Sequence, residues 1–344
     1  MIETRAAGKL FIVGEYAVVE AGEPAVLVAV DRFLRVRLTE RATANETSSD
    51  PVSTHVRSAI NAVDELRRER GLPERFFDIE TASELDDTDG RKFGLGSSGA
   101  VTVATVEALD QLYRLHLRPV ERFRVALLAT IELSPQSSGG DLAASTFGGW
   151  VRYRSPNRDV LRAHRAAHGI TSAMRDEHWI GCEVQQLSAP AELELLVGWT
   201  GSPASTETLV GRAADGQRTP DQHFLAASRA AVEAFCAACA AGAGGGEVAM
   251  AAIRDARALL KRFSEDRGMV VETEALSALC AVAEQHGAAA KSSGAGGGDC
   301  GIALATPDSD IAGILREWEQ QGITPLALKV HTRSSGAEGA TNER

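Results

Sequence analysis

Lys92-Phe93-Gly94-Leu95-Gly96-Ser97-Ser98-Gly99-Ala100 is followed at once by the apolar run Val101 to Leu109. Backbone N–H groups of a glycine-rich turn that opens a helix converge on one point, and the helix dipole adds partial positive charge there. Such a loop holds phosphate groups. The candidate phosphate-binding residues are therefore Gly94, Leu95, Gly96, Ser97, Ser98, Gly99 and Ala100, with Lys92 two positions ahead. The spacing Gly94-x-Gly96-x-x-Gly99 also fits a dinucleotide-binding turn, which requires a second strand ending in an acidic residue about 20 positions on. Here that region is Pro119-Val120-Glu121-Arg122-Phe123, a helix start, so an oxidoreductase of that type is set aside. The chain holds no G-x-x-x-x-G-K-[ST] loop and no V-A-I-K, H-R-D and D-F-G set.

Outward from this loop, a second small-residue cluster, Ser137-Ser138-Gly139-Gly140-Asp141, follows a helix that ends near Glu132-Leu133. A carboxylate in such a loop can approach a substrate hydroxyl closely, and Lys9 could hold it ionised or share the charge of a group in transfer. A third cluster, Lys291-Ser292-Ser293-Gly294-Ala295-Gly296-Gly297-Gly298-Asp299, precedes an apolar strand. Only five of the 36 basic residues are lysine, and three of these, Lys9, Lys92 and Lys291, stand within a few residues of a glycine loop. Where arginine is the rule, a lysine at a loop suggests a compact point charge placed for a phosphate oxygen.

The chain has 344 residues, 44% of them hydrophobic, and a net charge of -11. That length carries one large core or two moderate ones. The negative balance argues against nucleic acid or an acidic membrane as partner, since both need clustered positive charge. The stretches Ala25–Val30 and Val125–Ile131 are far shorter than a membrane span. The start, Met1-Ile2-Glu3-Thr4-Arg5, lacks the basic and apolar parts of a signal peptide. Five cysteines form no paired framework, and a cytoplasmic protein is expected. Cys236 and Cys239 read as buried helix cysteines, and His164 and His168 as surface histidines.

Residues 26–40 read as a strand through the alternation of Leu34, Val36 and Leu38 with Arg35, Arg37 and Thr39. Helices are expected over 50–71, with Asp50 as cap and Pro51 in the first turn, then over 98–115 and 119–133. Strands are expected at 76–81 and 150–154, then near 178–187 and 192–200. Helices at 220–241, 247–266 and 272–286 lead to the third glycine loop, followed by strand 301–305, helix 309–321 and strand 323–330. Strands and helices mix without strict alternation, which indicates an α+β protein.

Taken in order, Gly8-Lys9-Leu10-Phe11-Ile12-Val13-Gly14-Glu15-Tyr16-Ala17, the loop at 94–100 and the loop at 291–299 resemble motifs one, two and three of the GHMP kinases. Within that superfamily, the texts at 14–17, 92–99, 139–145 and 198–206 resemble bacterial phosphomevalonate kinases; mevalonate kinases usually have His where Tyr16 stands. The resemblance implies a two-domain GHMP kinase fold, with a ribosomal protein S5 domain 2-like N-terminal domain over 1–155 and a ferredoxin-like C-terminal domain over 156–332. Residues 333–344 would be a flexible tail. It further implies ATP and Mg²⁺, with Ser98 and Glu132 as candidate metal contacts and Lys9 and Asp141 as catalytic residues. Tyr16, Ser138, Gly139, Ser205, Ser293, Gly294 and Ala295 would hold a phosphomevalonate-type small molecule, in a monomer or homodimer. Mevalonate kinase, diphosphomevalonate decarboxylase and a non-catalytic ligand sensor are the rivals, and the pairing of Lys9 with Asp141 disfavours the sensor. The resemblance is incomplete at Ser292, where many relatives have Pro, and at Pro135-Gln136-Ser137, where some carry a basic residue.

Overall fold

The computed structural model describes residues 1–42, 53–87, 89–189, 192–201, 220–242 and 244–333. Its first sheet is built on two long antiparallel strands, β1 (Ile2–Val13) and β2 (Pro24–Arg41). The β2 alternation holds: Leu34, Val36 and Leu38 are buried while Arg35, Arg37 and Thr39 are exposed. Strand β3 (Phe76–Ser83) pairs with Leu34–Arg41 of β2, and β4 (Trp150–Arg154) with Pro24–Val28. Helices α2 (Ser97–Tyr113) and α4 (Gly140–Phe147) lie on this sheet, and α1 (Thr54–Glu69) and α3 (Pro119–Leu133) pack on α2. Leu10, Ile12, Val28, Val103, Leu109 and Leu127 sit in their shared core. The side chain of Ser53 caps α1 by accepting from Val56 N at 3.3 Å, whereas the expected cap Asp50 and Pro51 lie outside the described residues.

After β4 the chain forms α5 (Arg158–His168), α6 (Ile170–Ala173) and β5 (Glu183–Leu187). Strand β5 pairs with β4, and α5 and α6 pack on α3 and α1, so the packing around the first sheet extends to Leu187. The expected strand from residue 178 starts only at Glu183, since 176–178 form a short 3-10 turn. On α5 and that turn, the His164 ring packs at a tilt against His168 and His178, at 4.6 and 3.6 Å between ring centroids.

A second antiparallel sheet has the order β7-β8-β6-β9, made of β6 (Glu194–Trp199), β7 (Ala289–Ser292), β8 (Cys300–Ala305) and β9 (Thr324–Pro325). Helices α7 (Gln222–Ala241), α8 (Gly246–Arg267), α9 (Glu274–Gln285) and α10 (Ile311–Gln320) complete this part. Fully buried Trp318 donates to Leu279 O at 3.0 Å in the core between α9, α10 and the sheet. By length and a mean hydropathy of 1.4, α7 could cross a membrane, yet its apolar face packs on α8 and stacks Phe235 on Trp150 at 5.8 Å. Cys236 and Cys239 lie on this helix, where burial pushes their thiols up to about 11 and about 12, as befits inert core cysteines.

Two loop readings change. Residues 289–292 are a fully buried strand, and of the expected strand at 323–330 only Thr324–Pro325 pairs with β6, while Val330 bridges Val30. Arg333, assigned by sequence to the tail, is ion-paired with Glu107 of α2 at 2.6 Å.

Candidate active site

Lys9 lies on β1 just past a register shift against β2 between Ala7 and Gly8. Such irregularities re-aim side chains, and here Lys9 turns into the protein, 9% exposed, over the glycine-rich loop at 94–100. Its N–H donates to Leu95 O at 2.8 Å and its Nζ to Gly94 O at 3.5 Å. Burial lowers the Lys9 ammonium below the usual lysine range, opposed by the negative charge of Asp141, then Asp299, Cys300 and Glu15.

The loop beneath it is shaped by glycine. Gly94 and Gly96 hold φ of 81° and 79°, and a Cβ on Gly96 would stand 2.7 Å from Lys9 Cε. Gly96 is also the N-cap of α2 and no side chain caps that helix. The first intrahelical bond there is Ala100 N to Gly96 O, so the N–H groups of Ser97, Ser98 and Gly99 lack a helical acceptor. Asp141 enters from α4, whose own N-cap, Gly139, has φ 82° and no capping side chain. A Cβ on Gly99 would collide with the Asp141 carboxylate. Two helix N-termini, each with glycine at the N-cap, thus meet, with one carboxylate and one ammonium beside them.

The segment carrying Ser138 and Gly139 is pinned from two sides. Buried Tyr153 donates to Ser138 O at 2.6 Å, and burial pushes its phenol far up, so it stays a donor. Arg158 donates to Ser137 O at 3.2 Å and to Val19 O at 2.6 Å, tying the turn after Tyr16 to the loop before Asp141. Ser138 Oγ accepts from Gly140 N at 3.3 Å.

The third glycine loop docks on the end of β1. Ser293 Oγ accepts from Phe11 N at 2.9 Å and donates to Phe11 O at 3.0 Å, replacing a strand partner. Tyr16, at φ 60°, packs its ring on Phe263 and donates to Ala295 O at 2.5 Å; burial, then Glu15, raises its phenol far above its ordinary value. Gly294 N donates to Glu15 Oε1 at 3.4 Å. Beneath them Lys291 and Glu15 form an ion pair, 0% and 3% exposed. Lys291 is therefore a buried structural cation and not a loop lysine free for phosphate.

The description "GHMP kinases N terminal domain" matches residues 55–149 and "GHMP kinases C terminal" matches 248–324. A phosphomevalonate kinase from Streptomyces sp. (strain CL190) is 41% identical over 95% of this chain and 96% of its own. The chain belongs to the GHMP kinase family. Among solved structures, Streptococcus pneumoniae phosphomevalonate kinase in complex with phosphomevalonate and AMPPNP superposes with a TM-score of 0.87. It is 28% identical and the match covers 96% of this chain and 100% of that one. A Lin0012 protein from Listeria innocua gives a TM-score of 0.88 at 30% identity, covering 96% of this chain and 97% of its own. The two-domain GHMP kinase fold is thereby established.

In this GHMP kinase the structure unites Lys9, Gly94, Gly96, Gly99 and Asp141, all named from sequence. Lys92 is exposed, with its backbone bridged to Asp86. Ser98 is exposed on the first turn of α2, where a hydroxyl suits Mg²⁺, a cation usually held by few protein oxygens and by substrate phosphates. Glu132 is exposed at the end of α3, and Arg165 Nη1 is 4.0 Å from its carboxylate; no bond among the described residues ties it to α2. Ser205 lies outside the described residues. Sequence reading missed Arg158, Tyr153 and the Glu15–Lys291 pair. The one available signal was Arg158 directly after the N-cap Asn157, since a cation at a helix N-terminus opposes the helix dipole.

Proposed function

We propose that this chain transfers the γ-phosphoryl group of ATP to the phosphate of (R)-5-phosphomevalonate, giving 5-diphosphomevalonate and ADP. The observation that carries this reading is likeness over nearly the whole chain to phosphomevalonate kinases, one of them solved with phosphomevalonate and a nucleotide analogue. We further propose that the enzyme works in the cytosol as a water-soluble protein. In the reaction an oxygen of the acceptor phosphate forms a bond to the γ-phosphorus, the bond to the β,γ-bridging oxygen breaks, and ADP leaves with that electron pair.

ATP with Mg²⁺ supplies the activated phosphoryl group. The free N–H groups of Ser97, Ser98 and Gly99 receive its phosphates, with Gly94 to Ala100 shaping the cradle. Ser98 offers the metal contact. Lys9, short of its ordinary proton affinity in the free enzyme, gains a negative partner when substrates enter and neutralises charge on the group in transfer. Asp141 orients the acceptor; a phosphate monoester is already nucleophilic near neutral pH, so positioning outweighs base catalysis. Ser138 and Gly139 face the acceptor, while Ser293, Gly294, Ala295 and Tyr16 set the wall behind it.

The test is ADP release with mevalonate, 5-phosphomevalonate and 5-diphosphomevalonate offered in parallel. Turnover with 5-phosphomevalonate alone is expected. Equal or faster turnover of mevalonate, or CO2 release from the diphosphate, would replace this reading by that of a sister enzyme.

A further inference from the structure

Asp299, the last residue of the third glycine cluster, touches three parts of the molecule at once. Its backbone has φ 55°, a left-handed conformation that Asp and Asn tolerate better than most residues. Its carbonyl accepts from both Thr200 N and Thr200 Oγ1, each at 3.0 Å, which anchors the residue at the end of β6. Its side chain presses on the phosphate loop: a Cβ on Gly94 would stand 2.5 Å from Asp299 Cβ and 2.8 Å from its Oδ2. The next residue, Cys300, donates its Sγ–H to Phe93 O at 2.9 Å. The second sheet therefore grips Phe93 and Gly94 through two successive residues, one of them acidic.

A carboxylate against a loop that receives a triphosphate is electrostatically unfavourable unless it serves a nearby cation. Lys9, whose Nζ lies 3.5 Å from Gly94 O on the same loop, is a cation that the Asp299 charge reaches. The groups acting on Lys9 are Asp141 from α4, Asp299 and Cys300 at the start of β8, and Glu15 after β1, in that order. Glu15 is already neutralised by Lys291. Cys300 is buried with its thiol pushed far up, so it stays neutral. Asp141 and Asp299 remain as the two acidic influences, one from each side of the site.

We propose that Asp299 is a positioning residue, a carboxylate carried by the second sheet that seats on Gly94 and holds the Lys9 ammonium in place over the phosphate loop. This rests on the phosphoryl-transfer reading for its catalytic consequence, but not for its structural one. Lys9 would then be correctly aimed only when the third glycine cluster is docked, so that the two halves of the protein meet before transfer.

With only five lysines, a chain labelled at lysine Cε gives five NMR signals to follow against pH, and loss of one in Lys9→Met assigns Lys9. The proposal expects the Lys9 titration midpoint in the substrate-free protein to move to lower pH in Asp299→Asn, a change the left-handed backbone accepts. In that variant kcat should fall on the order of 10-fold, and the alkaline limb of kcat/KM should move to lower pH in step. Thr200→Val removes a hydrogen bond to the same residue and spares its carboxylate, so it should leave the midpoint in place. An unmoved Lys9 midpoint in Asp299→Asn would overturn the proposal, as would an equal shift in Thr200→Val. The titration is read without substrate, so it stands or falls independently of which acceptor the enzyme uses.

Discussion

Replacing Lys291 by Met should destabilise this protein far more than the loss of a surface ion pair would. Lys291 is fully buried, and its Nζ donates to Glu15 Oε1 and, at 2.6 Å, to Ser292 O. Once the ammonium is gone, the Glu15 carboxylate keeps, among the described residues, only the Gly294 N–H, a long contact of 3.4 Å. Removing one partner of a buried pair leaves an uncompensated charge and costs about 3–5 kcal/mol, whereas exposed pairs contribute about 0–1 kcal/mol. For 344 residues at about 2.1 cal/mol/K each, the unfolding entropy is about 0.7 kcal/mol/K, so Tm should fall by roughly 4–7 °C. The double variant Lys291→Met with Glu15→Gln removes both charges and should recover most of that loss. The assay is thermal unfolding followed by circular dichroism on wild type, both single variants and the double. A single variant within about 1 °C of wild type, or a double variant as unstable as the sum of the singles, would refute the argument.

Lys9→Met should lower kcat on the order of 10²- to 10³-fold, about 3–4 kcal/mol of barrier stabilisation, with a smaller change in KM; steady-state kinetics check it. The same variant should lose a pH dependence of stability: the folded Lys9 binds its proton less tightly than the unfolded one, so wild-type stability should rise with pH through the window between the two values. Flat urea midpoints in Lys9→Met against a rising series in wild type are the expected result. Gly96→Val combines a φ of 79° with a Cβ 2.7 Å from Lys9 Cε, so nucleotide affinity measured by calorimetry should drop at least 10-fold. Arg158→Gln should raise KM for the acceptor several-fold and leave KM for ATP near wild type, because its bonds hold the loop before Ser138 and not the phosphate loop.

The shape of the loop at 94–100 was legible because it is local: glycines at positive φ and a helix start without a capping side chain are written in nine consecutive residues. Lys9 and Asp141 could be named, but that Gly99 is the contact joining Asp141 to the loop depends on α2 meeting α4, which no spacing reveals. Lys291 was misread for the same reason. Its partner Glu15 is 276 residues away, and without it a lysine beside glycines looks like a phosphate ligand. Strand β7 escaped because Ala289-Ala290-Lys291-Ser292 is short, has no β-branched residue and carries a charge that only burial with Glu15 permits. A strand ending at Leu187 was legible, but Glu183 and Gln185 on one face and Gln186 on the other give no sign of which sheet it joins, and that shows only in its pairing with β4.

The central claim is that the acceptor atom is a phosphate oxygen of 5-phosphomevalonate, with the Lys9–Asp141 cluster aligning it on the nucleotide. The most direct measurement is phosphorus NMR of the product formed from ATP and 5-phosphomevalonate. The account predicts that the phosphomonoester signal is replaced by two coupled phosphorus signals of a phosphoanhydride, one per ADP formed, and that Lys9→Met slows this conversion without changing the product. ADP formation with the phosphomonoester signal intact, or a new ester at a carbon-bound hydroxyl, would contradict it.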